Sequence, residues 1–550
     1  MNKSHVVTAL ALSATLGLLT GCNDDDDDND IVTSNPPNFQ QFIKALGGED
    51  TVLAREQINY SVVGTAYEFQ EQPEPVEEQV ASYSINLNAT MDGNKLRQEW
   101  NLDIDYAFNF DLNFTEVMMD GEGAVLPSED VNNPDFNSFG AAFFGGFGVP
   151  NDPMNVAKQA GRVKTWFMSS PLAIAQQMLI QGDDNDLVTE FNGHQVTLIL
   201  DEQTNLPVSA ETLELDPLYG DVIYKVEYLD WQLVDGAMYP HRRRHHIDGN
   251  LIREETLSNI SFGDTGTDPF DFAGETPVAI DAIEDETALA KGYLSSQFYR
   301  RAQTIGFPFD NTDESLTDRG MDVTGFIDND QKVLRVMGTD HYNYAFNIGG
   351  SVYIYDASFN NERQQAVLAE IQNRFPNLPI GGVIMSHNHF DHAGGFRGAL
   401  SQGGNLIVGD GSQTLYEDLL TRPHTLQDNP LEQRDEIAMV IPVNGELILG
   451  EGDDTLHIFS LPAGHAEAED MLVLYRPVDQ TLYFADLYNA GFAGLLGAPN
   501  LAPTLQDRAQ QLVDFVENKG LAVTTIAPTH GSVLFDSLYT SVEMTANPAP

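Results

Sequence analysis

Four side chains of metal-ligand type crowd into the segment Ser386-His387-Asn388-His389-Phe390-Asp391-His392-Ala393-Gly394-Gly395. Crowded imidazoles and a carboxylate gain nothing from each other's company unless a cation neutralises them, so the segment reads as a metal-binding loop. It follows a strand-like run, Gly382 to Ser386, and leads into a helix. His387 and His389 alternate toward one side while Asp391 and His392 turn to the other, so one short loop can feed two adjacent ions. A thiolate ligand is excluded, because Cys22 is the only cysteine in the 550 residues; for the same reason no internal disulfide is expected.

The loop resembles the His-x-His-x-Asp-His signature of the metallo-β-lactamase superfamily, and the resemblance extends over about residues 325 to 550. It implies two β-sheets sandwiched between helices. It also implies a further histidine after a strand, an aspartate at a strand end and a last histidine near the C-terminus. His465 in Pro462-Ala463-Gly464-His465, Asp486 in Tyr483-Phe484-Ala485-Asp486 and His530 in Ala527-Pro528-Thr529-His530-Gly531 occur in that order. Carried over residue by residue, His387, His389 and His465 hold one ion, Asp391, His392 and His530 hold the second, and Asp486 bridges them. Asp391 and Asp486 are the candidate catalytic carboxylates. Asp356 matches an early strand-end aspartate that supports the ligands from behind. Imidazole and carboxylate ligands suit zinc, two ions of it, with manganese or iron as alternatives. Among the other histidines, His424 beside Pro423 and His457 inside a strand read as structural, and His341, which can approach the site mouth, reads as a surface or packing residue.

The chemistry implied is hydrolysis of a small-molecule substrate: a metal-bound hydroxide attacks an ester, lactone, thioester, phosphodiester, sulfate ester or amide-type centre. Without a cysteine at the second ion, the pattern is more similar to the glyoxalase II, lactonase and phosphodiesterase branches. The acidic run Gly464 to Met471 resembles the corresponding loop of secreted alkylsulfatases. No nucleophile-elbow Gly-x-Ser-x-Gly and no phosphate-loop Gly-x-x-x-x-Gly-Lys competes. Two rival readings stand beside hydrolysis. One is a mononuclear iron oxidoreductase similar to sulfur dioxygenases, and the other is a lipid-binding surface protein with a structural metal.

The elements that must position this site are legible as an α+β chain. From Ser351 onward strands and helices alternate: strands at 351–355, 382–386, 406–408, 455–461, 471–475, 481–485 and 523–527, and helices at 362–375, 413–421 and 505–519. Upstream, residues 58–63, 80–89, 95–102, 195–200, 221–229 and 253–260 alternate with period two, which predicts a mainly antiparallel β domain with one wet face. With a helix at 172–181, their order resembles the curved half-barrels of periplasmic lipoprotein carriers. Phe136 to Val149 is rich in Phe and Gly and reads as irregular core. The basic cluster His241 to His246 reads as a solvated edge paired to carboxylates. The expected boundaries are a leader at 1–22, an acidic tether at 23–40, a β-rich domain at 41–265, a linker with a helix (287–305) across 266–321, and a catalytic domain at 322–550.

An apolar run from Val6 to Leu19 ends in Leu19-Thr20-Gly21-Cys22, which resembles the lipobox of bacterial lipoproteins. It implies lipidation of Cys22, a membrane anchor, and a location facing the periplasm or the exterior. Formal charge is -56, from 83 acidic against 27 basic residues, so a polyanion such as nucleic acid is disfavoured as a partner.

Overall fold

The computed structural model describes residues 38–67, 79–104, 110–127, 153–182, 187–279, 325–461, 470–488 and 502–529, with interruptions of one to four residues, and short pieces beyond 537. The leader, all but the last three residues of the tether, the Phe/Gly-rich stretch, the helix expected at 287–305, His465 and His530 lie outside the described residues.

Two meanders build the N-terminal region. The first is β1 (Gln57–Tyr67), β2 (Gln79–Thr90), β3 (Lys95–Ile104), β4 (Phe110–Met119) and β5 (Glu122–Pro127). The second is β6 (Val188–Phe191), β7 (His194–Leu200), β8 (Pro207–Asp216), β9 (Gly220–Val234), β10 (Ala237–Ile247) and β11 (Asn250–Phe262). They join where β1 pairs antiparallel with β11, with Ile58 opposite Phe262 and Ala66 opposite Arg253. A two-residue strand, β12 (Val278–Ala279), extends the far edge beside β5. The product is one antiparallel sheet of 12 strands, open, with β6 and β12 at its edges. Its two faces follow from alternation: β2 buries Tyr83, Ile85, Leu87 and Ala89 and leaves the residues between them wetter.

Helix α1 (Phe39–Leu46) packs Phe39, Phe42, Ile43 and Leu46 into the core beneath this sheet. Helices α2 (Pro153–Ser169) and α3 (Pro171–Gln181) add Trp166, Phe167, Leu172 and Ile174. The start of α3 is set by Ser170, whose hydroxyl accepts from Ala173 N, and by Pro171; its end is set by Gly182 in the left-handed conformation.

The C-terminal region has the metallo-β-lactamase fold. Its first sheet runs β13 (Gly325–Phe326), β14 (Val333–Gly338), β15 (His341–Ile348), β16 (Ser351–Tyr355), β17 (Ile380–Ile384), β18 (Asn405–Gly409), β19 (Val440–Val443), antiparallel up to β16 and parallel beyond it. The second runs β20 (Glu446–Glu451), β21 (Asp454–Ser460), β22 (Leu472–Arg476), β23 (Thr481–Phe484), β24 (Thr525–Pro528), β25 (Ser537–Leu538). Phe346, Tyr355, Ile384, Ile458, Leu474 and Tyr483 fill the space between the sheets. Helix α4 (Asn361–Arg374) covers the first sheet through Val367, Leu368 and Ile371. Helix α5 (Ala502–Lys519) covers the second through Ala509, Leu512, Val513 and Val516, whose helical spacing puts them on one face. The four layers match the expected sandwich.

The two regions share one core. Phe390, Phe396, Leu400, Val408 and Leu419 belong to the same buried apolar cluster as the N-terminal sheet. Gly220, at the β8–β9 turn, has φ 77°, and a Cβ there would lie 2.5 Å from Pro423 O. Asp221 accepts from Thr425 N at 2.8 Å, and Arg422 pairs with Asp248. Arg397 is fully buried and donates to Leu218 O at 2.8 Å and to Leu419 O at 2.5 Å, tying the segment just after the metal-type loop to the N-terminal turn.

The basic cluster corrects its expectation. β10 lies inside the sheet, between β9 and β11, so alternate residues point inward: Arg243 and His245 are buried against Glu255. Outward-facing Arg242 and Arg244 pair with Glu254, and His246 pairs with Glu227. The pairing with carboxylates holds, but the cluster is not an edge, and Arg243 and His245 are not solvated.

Candidate metal centre

Strand β17 ends at Ile384, and the loop that leaves it turns into one helical turn, Phe390–Ala393. Burial is complete along the loop: His387, His389, Asp391 and His392 are each at most 4 % exposed. Two groups of ligand atoms form here, each with its atoms within 4.8 Å of one another: His387 with His389 and Asp486, and His341 with Asp391 and His392. Asp486 stands two residues beyond β23 and reaches both groups, with Oδ1 3.0 Å from His392 Nε2 and Oδ2 3.6 Å from His387 Nε2.

Behind these atoms the imidazoles of His392 and His387 are each held by the other nitrogen. Asp356, just past the end of β16, meets His392 Nδ1 at 2.9 Å through Oδ2 and accepts Ser386 N at 2.7 Å through Oδ1. Ser386 Oγ lies 2.9 Å from His387 Nδ1, so both rings turn Nε2 toward the centre. Asn343 donates to Asp356 O at 2.7 Å, and Arg508 donates to Asp486 O at 3.1 Å. Asp356 takes φ 64° and Asp486 φ 31°, left-handed conformations that Asp tolerates better than most residues and that aim both carboxylates off their strand ends.

Electrostatics divides the histidines. Burial, reinforced by His389 and His392, holds His387 well below the ordinary imidazole pKa, so it is neutral and ready to ligate. Burial also opposes charge on His392, but the carboxylates of Asp486, Asp391 and Asp356 outweigh it and hold its pKa well above the ordinary value. Three carboxylates converging on one ring in a dry site are a cation site, filled by a proton when no metal is bound.

The residues fit a metal. His387 Nε2 is buried and has no hydrogen-bond partner among the described residues, and the donor set is imidazole and carboxylate, as zinc prefers. Of the residues the sequence predicts, His387, His389, Asp391, His392 and Asp486 come together, with Asp356 behind them. The flanking residues Leu461 and Met471 are hydrogen-bonded, and Thr529 Oγ1 lies 3.4 Å from His392 Nδ1. His424 and His457 lie elsewhere, His457 on β21 with Nδ1 2.7 Å from Glu446.

His341, which the sequence leaves as a surface or packing residue, sits among the candidate ligands. Far from the surface, it is 1 % exposed with Nε2 3.2 Å from Asp391 Oδ2. No ligand spacing surrounds it in the sequence. The available signal is that it opens β15, a strand buried nearly throughout, so its own burial follows.

Residues 338–530 match the family model described as the metallo-beta-lactamase superfamily. A search of curated proteins finds no match. Among solved structures, the chain is similar to a metallo-beta-lactamase from Pontibacter korlensis, at 18 % identity over 41 % of this chain and 98 % of that one, with a TM-score of 0.29. It is also similar to a metallo-beta-lactamase from Hirschia baltica, at 15 % identity over 41 % of this chain and 99 % of that one, TM-score 0.29. A flavo di-iron protein mutant from Thermotoga maritima aligns at 14 % identity over 40 % of this chain and 61 % of that one, TM-score 0.29.

Proposed function

We propose that this chain is a metal-dependent hydrolase acting on a small ester, lactone, thioester, phosphodiester, sulfate ester or amide-type substrate. The observation that carries the reading is the Asp486 carboxylate, set between His387 and His392 so that each oxygen faces a different imidazole. One carboxylate with one oxygen for each of two donor groups is the arrangement a two-ion centre requires.

His387, His389 and Asp486 would hold one ion, with His465 completing the set, and Asp391, His392 and Asp486 the other, with His530. Zinc held there would supply Lewis acidity, to polarise a scissile group and to acidify water. The chain's own residues do the rest. Asp356 and Ser386 orient the two imidazoles, His341 holds the Asp391 carboxylate, and burial excludes bulk water from the donors. The resemblance of Leu19-Thr20-Gly21-Cys22 to a lipobox supports anchoring of this activity on a bacterial membrane surface through Cys22.

The test is Asp486→Ala, with metal content and turnover on a broad ester, lactone, phosphodiester, sulfate ester and β-lactam panel. Metal should fall from near two ions per chain toward one or fewer and most turnover should disappear, while His457→Ala retains both. An Asp486→Ala protein with full metal and full rate would remove the bridging role and the two-ion reading together. Iron rather than zinc in the purified protein, with oxygen consumption, would instead favour oxidative chemistry at the same residues.

A further inference from the structure

The first residue of β15 enters the metal centre from a part of the chain that the His-x-His-x-Asp-His signature does not cover. His341 is 1 % exposed and stands opposite Gly338 across the β14–β15 hairpin. Contacts on either side of it fix its place. Tyr342 N donates to Thr529 O at 2.8 Å, Arg363 donates to His341 O at 3.2 Å, and Asn343 donates to Asp356 O at 2.7 Å. Alternation along the strand sends His341 and Asn343 to the same side. The strand is therefore tied both to the residue before His530 and to the aspartate behind His392.

Polar contacts around the centre are of two kinds. Those that hold a ring from behind are short: Asp356 Oδ2 to His392 Nδ1 and Ser386 Oγ to His387 Nδ1 are both 2.9 Å. Those between atoms that face the centre are longer, at 3.0 Å from His392 Nε2 to Asp486 Oδ1, 3.5 Å from His392 Nε2 to Asp391 Oδ2 and 3.6 Å from His387 Nε2 to Asp486 Oδ2. His341 Nε2 lies 3.2 Å from Asp391 Oδ2, which belongs with the second kind. A charge-assisted N–H···O bond runs to about 2.7 to 2.9 Å, whereas two ligands of one tetrahedral zinc, with bonds of ~2.0 to 2.1 Å, stand about 3.3 Å apart. One donor atom each from His341, Asp391 and His392 lie within 4.8 Å of one another, close enough for a single ion to touch all three.

We propose that His341 is a ligand of the second ion, beside Asp391 and His392. The donors carried over from the signature give each ion three residues and a share of Asp486, and His341 gives the second ion a fourth residue of its own. The contact that holds Asp391 without metal becomes one edge of the coordination sphere when the ion is bound. A neutral imidazole adds a donor without adding charge, which suits a site that already has the carboxylates of Asp391 and Asp486. The assignment rests on the two-ion reading of the centre and is independent of which substrate is turned over.

Two measurements on the full-length protein separate a ligand from a residue that only holds Asp391. The first is zinc titration of chelator-treated protein against a competing dye, for wild type, His341→Gln and His341→Ala. Glutamine keeps an NH2 group where His341 has Nε2 and can still donate to Asp391, but a carboxamide is a poor zinc ligand. Losing a partner behind a ligand costs roughly 10- to 100-fold in metal affinity, and losing the ligand itself costs more. Both variants should therefore bind one zinc per chain as tightly as wild type and the other at least about 100-fold more weakly. Two tightly bound ions in His341→Gln, with loss only in His341→Ala, would reduce His341 to a residue that holds Asp391 and overturn the proposal. The second measurement needs no variant, and so stands even where both variants fail to fold: a crystal structure of the zinc-loaded wild type, with its ions located by anomalous scattering. His341 Nε2 should lie ~2.0 to 2.1 Å from the ion beside Asp391 and His392, and a separation above about 3 Å defeats the assignment. A wild type that takes up neither zinc, manganese nor iron sinks the two-ion reading and this assignment together. Zinc held through His341 with no turnover on the substrate panel sinks the hydrolase reading and leaves the assignment standing.

Discussion

Asp356→Asn isolates what the residues behind the metal contribute. Asp356 is fully buried, takes φ 64°, and its carboxylate spans Ser386 N at 2.7 Å and His392 Nδ1 at 2.9 Å. Asparagine tolerates the left-handed backbone and keeps an oxygen for Ser386, but it offers an NH2 group to His392. The ring must then protonate Nε2 to leave Nδ1 as an acceptor, which is the tautomer unable to ligate. Loss of such a partner costs about 10- to 100-fold in metal affinity, or roughly 1.4 to 2.8 kcal/mol. Because the pair is buried, the metal-free variant also loses about 3 kcal/mol of stability, so binding is measured well below its unfolding transition. The assay is zinc titration of chelator-treated protein against a competing dye. Wild-type affinity and stoichiometry in Asp356→Asn would refute the reasoning that His392 ligates through Nε2 under the control of Asp356.

The chain cut to residues 322–550 should be insoluble or fail to unfold cooperatively, because Phe390, Phe396 and Leu419 lose their cover and Arg397 loses Leu218 O; a soluble, zinc-binding fragment would show that the shared core is dispensable. His245 has its pKa pushed from 6.5 down to about 4 by burial. Its neutral form therefore contributes stability that is fully present above pH 6.5 and lost progressively as pH falls toward about 4, a difference of roughly 3 kcal/mol. Chemical denaturation across that window should show a shallower acid loss in His245→Gln than in the wild type; parallel curves would argue against a buried neutral imidazole. Changing Cys22 to Ser should release the protein from membranes or leave it unprocessed, as fractionation and mass measurement would show, and a correctly cleaved, unlipidated, membrane-bound protein would defeat the anchor assignment.

Much of this was legible in the sequence because the signals are local. Period two marked β2, β3 and β9, and a single apolar face together with Gly520 marked α5. The metal loop was legible because four ligand-type side chains in six residues have few other physical explanations. What stayed hidden depends on distant pairing. Arg243 reads as a surface cation until β11 brings Glu255 beside it. His341 stands 50 residues before Asp391 and carries no spacing signal. The boundary near residue 322 marks a change of pattern in the sequence, yet Arg397 and the shared core cross it.

The seam between β1 and β11 also fixes an order of events. Ile58 cannot meet Phe262 until about 200 further residues have emerged, from the ribosome or across a membrane. Until then the first meander exposes β1 as a bare edge rich in Val, Ile and Tyr, the kind of surface that pairs with the wrong strand. The second meander, once complete, closes that edge and presents the turn at Leu218 before the segment bearing His387 has emerged. Assembly therefore runs in one direction along the chain, and the N-terminal sheet is a surface on which the later region is cast.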